Sequence, residues 1–198
     1  LPYKLTPHTE QVVETILYML WDMRLKVGHS TRSIQECMHQ AKADMTIRTT
    51  ILESRFIIGE MSLLTQMIKR FQREVVAGTA LDFVEAKLKE SETRHKKLGD
   101  SRYVIEPNIK DGKGGLRDLH KLFWIAKYVY QTNTAEELVI KGILSSREAD
   151  HFAKAQKQLW AIRCHLHYLA GREEDRLTVD HQREIATKLG YTDRSGNI

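Results

Sequence analysis

From residue 59 onward, apolar side chains return every three or four positions, and a chain with that period folds into packed helices rather than sheet. Met61, Leu64, Ile68, Phe71 and Val75 form one such stripe, which Gly78 closes. Thr79 opens the next helix, whose apolar character fades after Leu88. Its continuation, KESETRHKK, is expected to be a solvated extension of paired charges ending at Gly99. Leu116, Leu119, Phe123, Ala126 and Tyr130 set a further stripe. Thr134 with Glu137, and Ser145 with Glu148, are capping-box pairs ahead of two more helices. The second of these runs through Phe152, Leu159, Ile162, Leu166 and Leu169 to Gly171, and a last helix is expected over residues 181–189.

The first sixty residues are more mixed. The opening LPYKL reads as the tail of a strand or loop, after which Thr6 and Pro7 start a core-facing helix over residues 7–23. LKVGHS, residues 25–30, reads as a short strand, and Ser33 with Glu36 caps a second helix carrying Ile34, Cys37, Met38 and Ala41. Residues 45–58, MTIRTTILESRFII, are the one stretch dense in β-branched side chains, with an alternation that permits a strand. A strand there makes this region a β/α fragment; a helix makes the whole chain helical.

The 198 residues are enough for one or two domains, and 41% hydrophobic content suffices for a core. No apolar window reaches the length of a membrane span, and LPYKLTPHTE lacks the pattern of a secretory signal, so no membrane contact and a cytoplasmic location are expected. Cys37 and Cys164 lie far apart within helical patterns and are expected to be small buried thiols. A net charge of +5 favours an anionic ligand but falls short of the dense basic stripe of a nucleic-acid binder, and no nucleic-acid partner is expected.

Residues 100–115 form the one long aperiodic stretch. Lys110 and Lys113 flank Asp111 and Gly112; Gly114 and Gly115 then open onto a helix with Arg117 in its first turn. Free N–H groups at a helix start, glycines that admit a ligand to the backbone and three cations together suit a phosphate. The Walker glycine spacing is absent. Equally open is a structural role, in which the glycines allow a tight turn and Arg117 pairs with Glu106 or Asp118. His165 and His167 stand on different helix faces and do not suit a shared metal. His29, beside Gly28, is read as structural, with a nucleotide contact as the other possibility.

The run EPNIKDGKGGLRDLHKLFWIAK, residues 106–127, resembles a signature of the PII-protein uridylyltransferase family. VGHSTRS, TILESRFIIGE and LHYLAGREEDRLTVDHQREIATKLGY are similar to family segments and stand in the family's order. The resemblance implies a mainly α chain in two parts: residues 1–60 as the C-terminal part of a nucleotidyltransferase α/β domain, and residues 61–198 as a helical domain. It implies transfer of UMP from UTP to a tyrosine of the signalling protein PII, with Mg2+ ions held by carboxylates. Lys110, Lys113, Gly114, Gly115 and Arg117 would then meet the nucleotide or the acceptor. Glu53 is the preferred third metal carboxylate, Asp44 its competitor, and an ion pair with Arg55 the plainer role for Glu53. In the charge run after Gly171, Glu173 and Glu174 are read as solvated, while Arg172, Asp175 and Arg176 are expected to hold the helical domain against the nucleotide-binding half. The family's Gly-Ser and Asp-x-Asp motifs do not occur in this sequence, so the chain alone is expected to be inactive. A relative with another acceptor, or a noncatalytic binding module, are the alternatives.

Overall fold

The computed structural model describes residues 6–101 and 103–192. The strand or loop tail expected at the start falls on residues 1–5, outside this range. Among the described residues the chain is mainly α, and the one β feature is an isolated antiparallel bridge between Asn108 and Arg176. Contacts divide it into two compact units, Leu1–Ala80 and Leu81–Ile198.

In the first unit, α1 (Pro7–Asp22) begins as the sequence indicates: Thr6 accepts from the Thr9 N–H, and Pro7 sits where no donor is needed. The capping box at Ser33 and Glu36 is formed at the start of α2 (Ile34–Ala43). Between them, residues 25–30 form no strand. Nor do residues 45–58. Met45–Leu52 is a helix, α3, followed by an irregular stretch.

Local bonding decides between the two alternatives for residues 45–52 in favour of the helix. Asp44 Oδ1 accepts from the Thr46 and Ile47 N–H groups, capping the helix start. Thr49 and Thr50 turn their hydroxyls back onto the Met45 and Thr46 carbonyls, so the β-branched threonines are satisfied within a helix. Arg48, Thr49 and Ile51 are buried on its inner side, and the Arg48 guanidinium donates to the Ala41 and Lys42 carbonyls that end α2. Packing against α2 outweighs a β propensity worth at most about 1 kcal/mol per residue. The stripe from Met61 runs through α4 (Met61–Phe71) into a π-helical turn, Gln72–Val76, which buries Val75 and Val76.

The second unit is built on α5 (Ala80–Lys97), α6 (Leu116–Tyr130), α7 (Ala135–Ile140), α8 (Ser146–Ala170) and α9 (Val179–Lys188). α8 packs on α6, α7 and α9. Phe83 of α5 stacks face to face on Tyr128 of α6, ring centroids 3.9 Å apart, and both are fully buried. The Ser145–Glu148 capping box forms in full. At Thr134 the hydroxyl accepts from the Glu137 N–H, while the Glu137 carboxylate reaches the Asn133 N–H instead of the cap residue's own.

Two expectations need correction here. Cys164 is exposed and Cys37 half-buried, neither in a disulfide, and burial pushes the Cys37 thiol up from its ordinary value. The KESETRHKK segment is not solvated throughout. Ser91 is buried, and Arg94 and His95 are largely covered, because Phe83, Lys87, Ser91 and the Arg94–His95 pair continue one inward face of α5.

Candidate functional site

Residues 106–118 fold back on themselves as a tight turn feeding α6. Asn108 organises it: its side-chain Oδ1 accepts from the Lys110 and Asp111 N–H groups, and its backbone carbonyl from Gly112. The N–H groups at the start of α6 are spent inside the turn, Gly115 on Gly112 O, Leu116 on Ile109 O and Arg117 on Lys110 O. Gly114 donates to Asp118 Oδ2. The premise of free backbone donors for a phosphate is therefore corrected, since loop carbonyls already satisfy them. Two glycines serve close packing. A Cβ on Gly112 would stand 2.6 Å from the Asn108 carbonyl oxygen, and one on Gly115 2.7 Å from that of Ile109.

Two aspartates pin this turn to the helices. Asp118, on α6, accepts from Arg94 at 2.6 Å and meets His95 Nε2 at 3.1 Å, with Lys121 at 3.6 Å. Arg94 also donates through Nε to the Asp111 carbonyl, so a single guanidinium ties α5 to both the turn and the helix it starts. Asp175 plays the same part on the other side. Its carboxylate takes Arg163 of α8 at 2.6 Å, His167 at 3.4 Å and Lys110 at 3.5 Å, while its backbone carbonyl accepts from Ile109 N–H. Burial raises the pKa of both carboxyls, but the Gly114 N–H and the cations around Asp118, and Arg163, His167 and Lys110 around Asp175, outweigh it and hold both below the ordinary value. Glu106 completes the frame, pairing with Arg176 at 2.9 Å and capping Val179 N–H at the start of α9.

The expected cations are thus distributed rather than gathered. Lys110 leans on Asp175, Lys113 on Asp100 at 2.8 Å, and Arg117 on Asp111 at 3.3 Å, so Arg117 pairs with neither Glu106 nor Asp118. All three remain partly exposed. Of the three, Lys113 alone lines the cavity of about 320 Å³ between the end of α5 and the turn, which Lys97 and Arg176 also border. The partners seen for Asp175 and Arg176 lie within the second unit, and Arg172 pairs with Glu174, which also accepts from Arg176 N–H.

Glu53 stands exposed at the C-terminal end of α3, while Asp44 caps the opposite end with one oxygen committed to two N–H groups. Among the described residues, no three His, Cys, Asp or Glu side chains come together as a metal cage. The carboxylates of the described residues therefore do not by themselves fit a metal ion. Sequence reasoning missed the Arg94, His95 and Arg163 contacts; the α5 periodicity from Phe83 was the available signal for the first two.

A family model described as GlnD PII-uridylyltransferase matches residues 82–197. The chain belongs to the GlnD PII-uridylyltransferase family. It is 61% identical over 196 residues to the bifunctional uridylyltransferase/uridylyl-removing enzyme of Azospirillum brasilense, covering 99% of this chain and 21% of that protein. The enzymes of the same name from Rhodospirillum rubrum and Rhodopseudomonas palustris are 60% and 57% identical, over 98% and 99% of this chain. The chain spans about a fifth of the length of these curated relatives. No solved structure gives a significant match. The GlnD PII-uridylyltransferase match covers the second compact unit almost end to end, including the turn and both aspartates that pin it. No helix among the described residues is long and apolar enough to cross a membrane.

Proposed function

We propose that this chain is part of a nucleotidyltransferase that transfers UMP from UTP to a tyrosine of the PII signalling protein. Residues 1–60 belong to the end of the nucleotidyltransferase domain and residues 61–198 to the helical domain beside it. The reading is carried by identity of 56–61% over nearly the whole chain to proteins named for uridylyl transfer and removal. Supporting it, the turn is rigidly framed by Asp118 and Asp175 and leaves three partly exposed cations on one short segment.

With the backbone donors spent, contact with the triphosphate or the acceptor falls to the side chains of Lys110, Lys113 and Arg117. Lys113 and Arg117 are held in partly exposed pairs weak enough to exchange for phosphate, because exposed ion pairs contribute at most about 1 kcal/mol, and Lys110 stands 3.5 Å from an Asp175 carboxylate that Arg163 also holds. Gly114 and Gly115 act through the turn they permit. Glu53 would supply one carboxylate toward a Mg2+ site whose other ligands lie outside this chain. Bound metal would polarise the phosphates. The expected setting is the cytoplasm, without nucleic acid or membrane.

Labelled UMP incorporation into PII tests the assignment. The complete parent protein should transfer UMP from UTP, and the 198-residue chain alone should not. A parent protein inert toward PII but active on another acceptor would replace PII in this account.

A further inference from the structure

We infer that the cavity between the C-terminal end of α5 and the 106–113 turn binds the phosphate group of a small ligand, an assignment that deepens the nucleotide reading and rests on it through Lys113. Three cations and a histidine from three segments line it, His95 and Lys97 from α5, Lys113 from the turn and Arg176 from the segment before α9, together with the carboxylates of Asp100 and Glu106. Lys97 has no ion-pair partner among the described residues. The pairs that engage the other two cations are surface pairs. Asp100, on Lys113, is 58% exposed, and Arg176, on Glu106, is 62% exposed. Such pairs contribute little, so a phosphate dianion can replace either carboxylate at small cost. His95 is oriented by Asp118 on its Nε2 side.

The carbonyls ending α5 oppose an anion, but His95 O already accepts from the Leu98 and Asp100 N–H groups and Lys96 O from Gly99. A volume of about 320 Å³ stands at the small end of small-molecule pockets and suits a small phosphate-bearing ligand.

The test uses the isotopically labelled 198-residue chain titrated with inorganic phosphate and, separately, with UMP at constant ionic strength, followed by amide NMR shifts. Saturable shifts are expected around Lys97, Lys113 and Arg176, with affinity weakened about tenfold in the Lys97→Ala/Arg176→Ala double variant. Both substituted side chains are exposed, and unchanged circular dichroism confirms the fold; the single Lys97→Gln variant gives a second reading that disturbs no pair. Tighter binding of UMP identifies a nucleotide as the source of the phosphate, equal binding the free anion. Absence of saturable shifts with either ligand, or equal affinity in the double variant, overturns the inference. That failure leaves the uridylyl-transfer reading standing, because UMP incorporation into PII by the parent protein is measured independently.

Discussion

Asp118 shows how much one carboxylate can carry. Removing it in Asp118→Ala leaves Arg94, His95 and Lys121 without their shared acceptor in a largely covered site. The expected loss is about 2–3 kcal/mol in urea denaturation of the chain. Acid should do the same reversibly. Because Asp118 and Asp175 have pKa values below the ordinary range when folded, the folded state binds their protons less readily than the unfolded one. Their stabilisation is complete above about pH 4, where unfolded aspartates ionise, and is lost as pH falls through the lowered native values. Unfolding free energy should therefore drop as pH falls below about 4, and an Asp118→Asn/Asp175→Asn variant should show a shallower drop. An equal slope in the double variant would assign the acid sensitivity to other groups. Lys121, three residues after Asp118 on the same helix, could be read from spacing, but Arg94 lies 24 residues before Asp118, and Arg163 12 before Asp175. Pairings of that range emerge only when the helices pack.

Among the elements, those whose signals are local were the legible ones. Thr6, Ser33 and Ser145 cap the helices their sequence patterns announce, since a cap depends on three or four neighbouring residues. Residues 45–52 were ambiguous because β-branched content speaks to propensity, whereas the Asp44 cap and the burial of Arg48 against α2 decide the outcome. Asp44→Ala should accordingly lower the melting temperature of the chain. The turn before α6 was recognised as a glycine-dependent element, but its glycines make room for carbonyls. Gly115→Ala, forcing a methyl to within 2.7 Å of Ile109 O, is expected to lower stability by about 1–3 kcal/mol. Gly28→Ala, with nothing within 4 Å, should be nearly neutral. Equal melting of the two variants would mean that the turn relaxes freely.

For the whole molecule, the helical class and the family were legible because the signature run and its neighbours stand in order along the chain, and the family match covers residues 82–197. The phosphate role proposed for the turn rests, in the sequence, only on a concentration of cations; where those cations point depends on Asp175, Asp100 and Asp111. If the turn serves uridylyl transfer through side chains, its charge matters to that reaction and not to the fold. The most direct measurement is steady-state UMP incorporation into PII by the complete parent protein carrying Lys110→Ala/Arg117→Ala, with removal of UMP from modified PII as the control for folding. The account predicts a fall in kcat/KM for UTP of about tenfold or more, with removal unchanged. Transfer kinetics equal to those of the unaltered protein would contradict it.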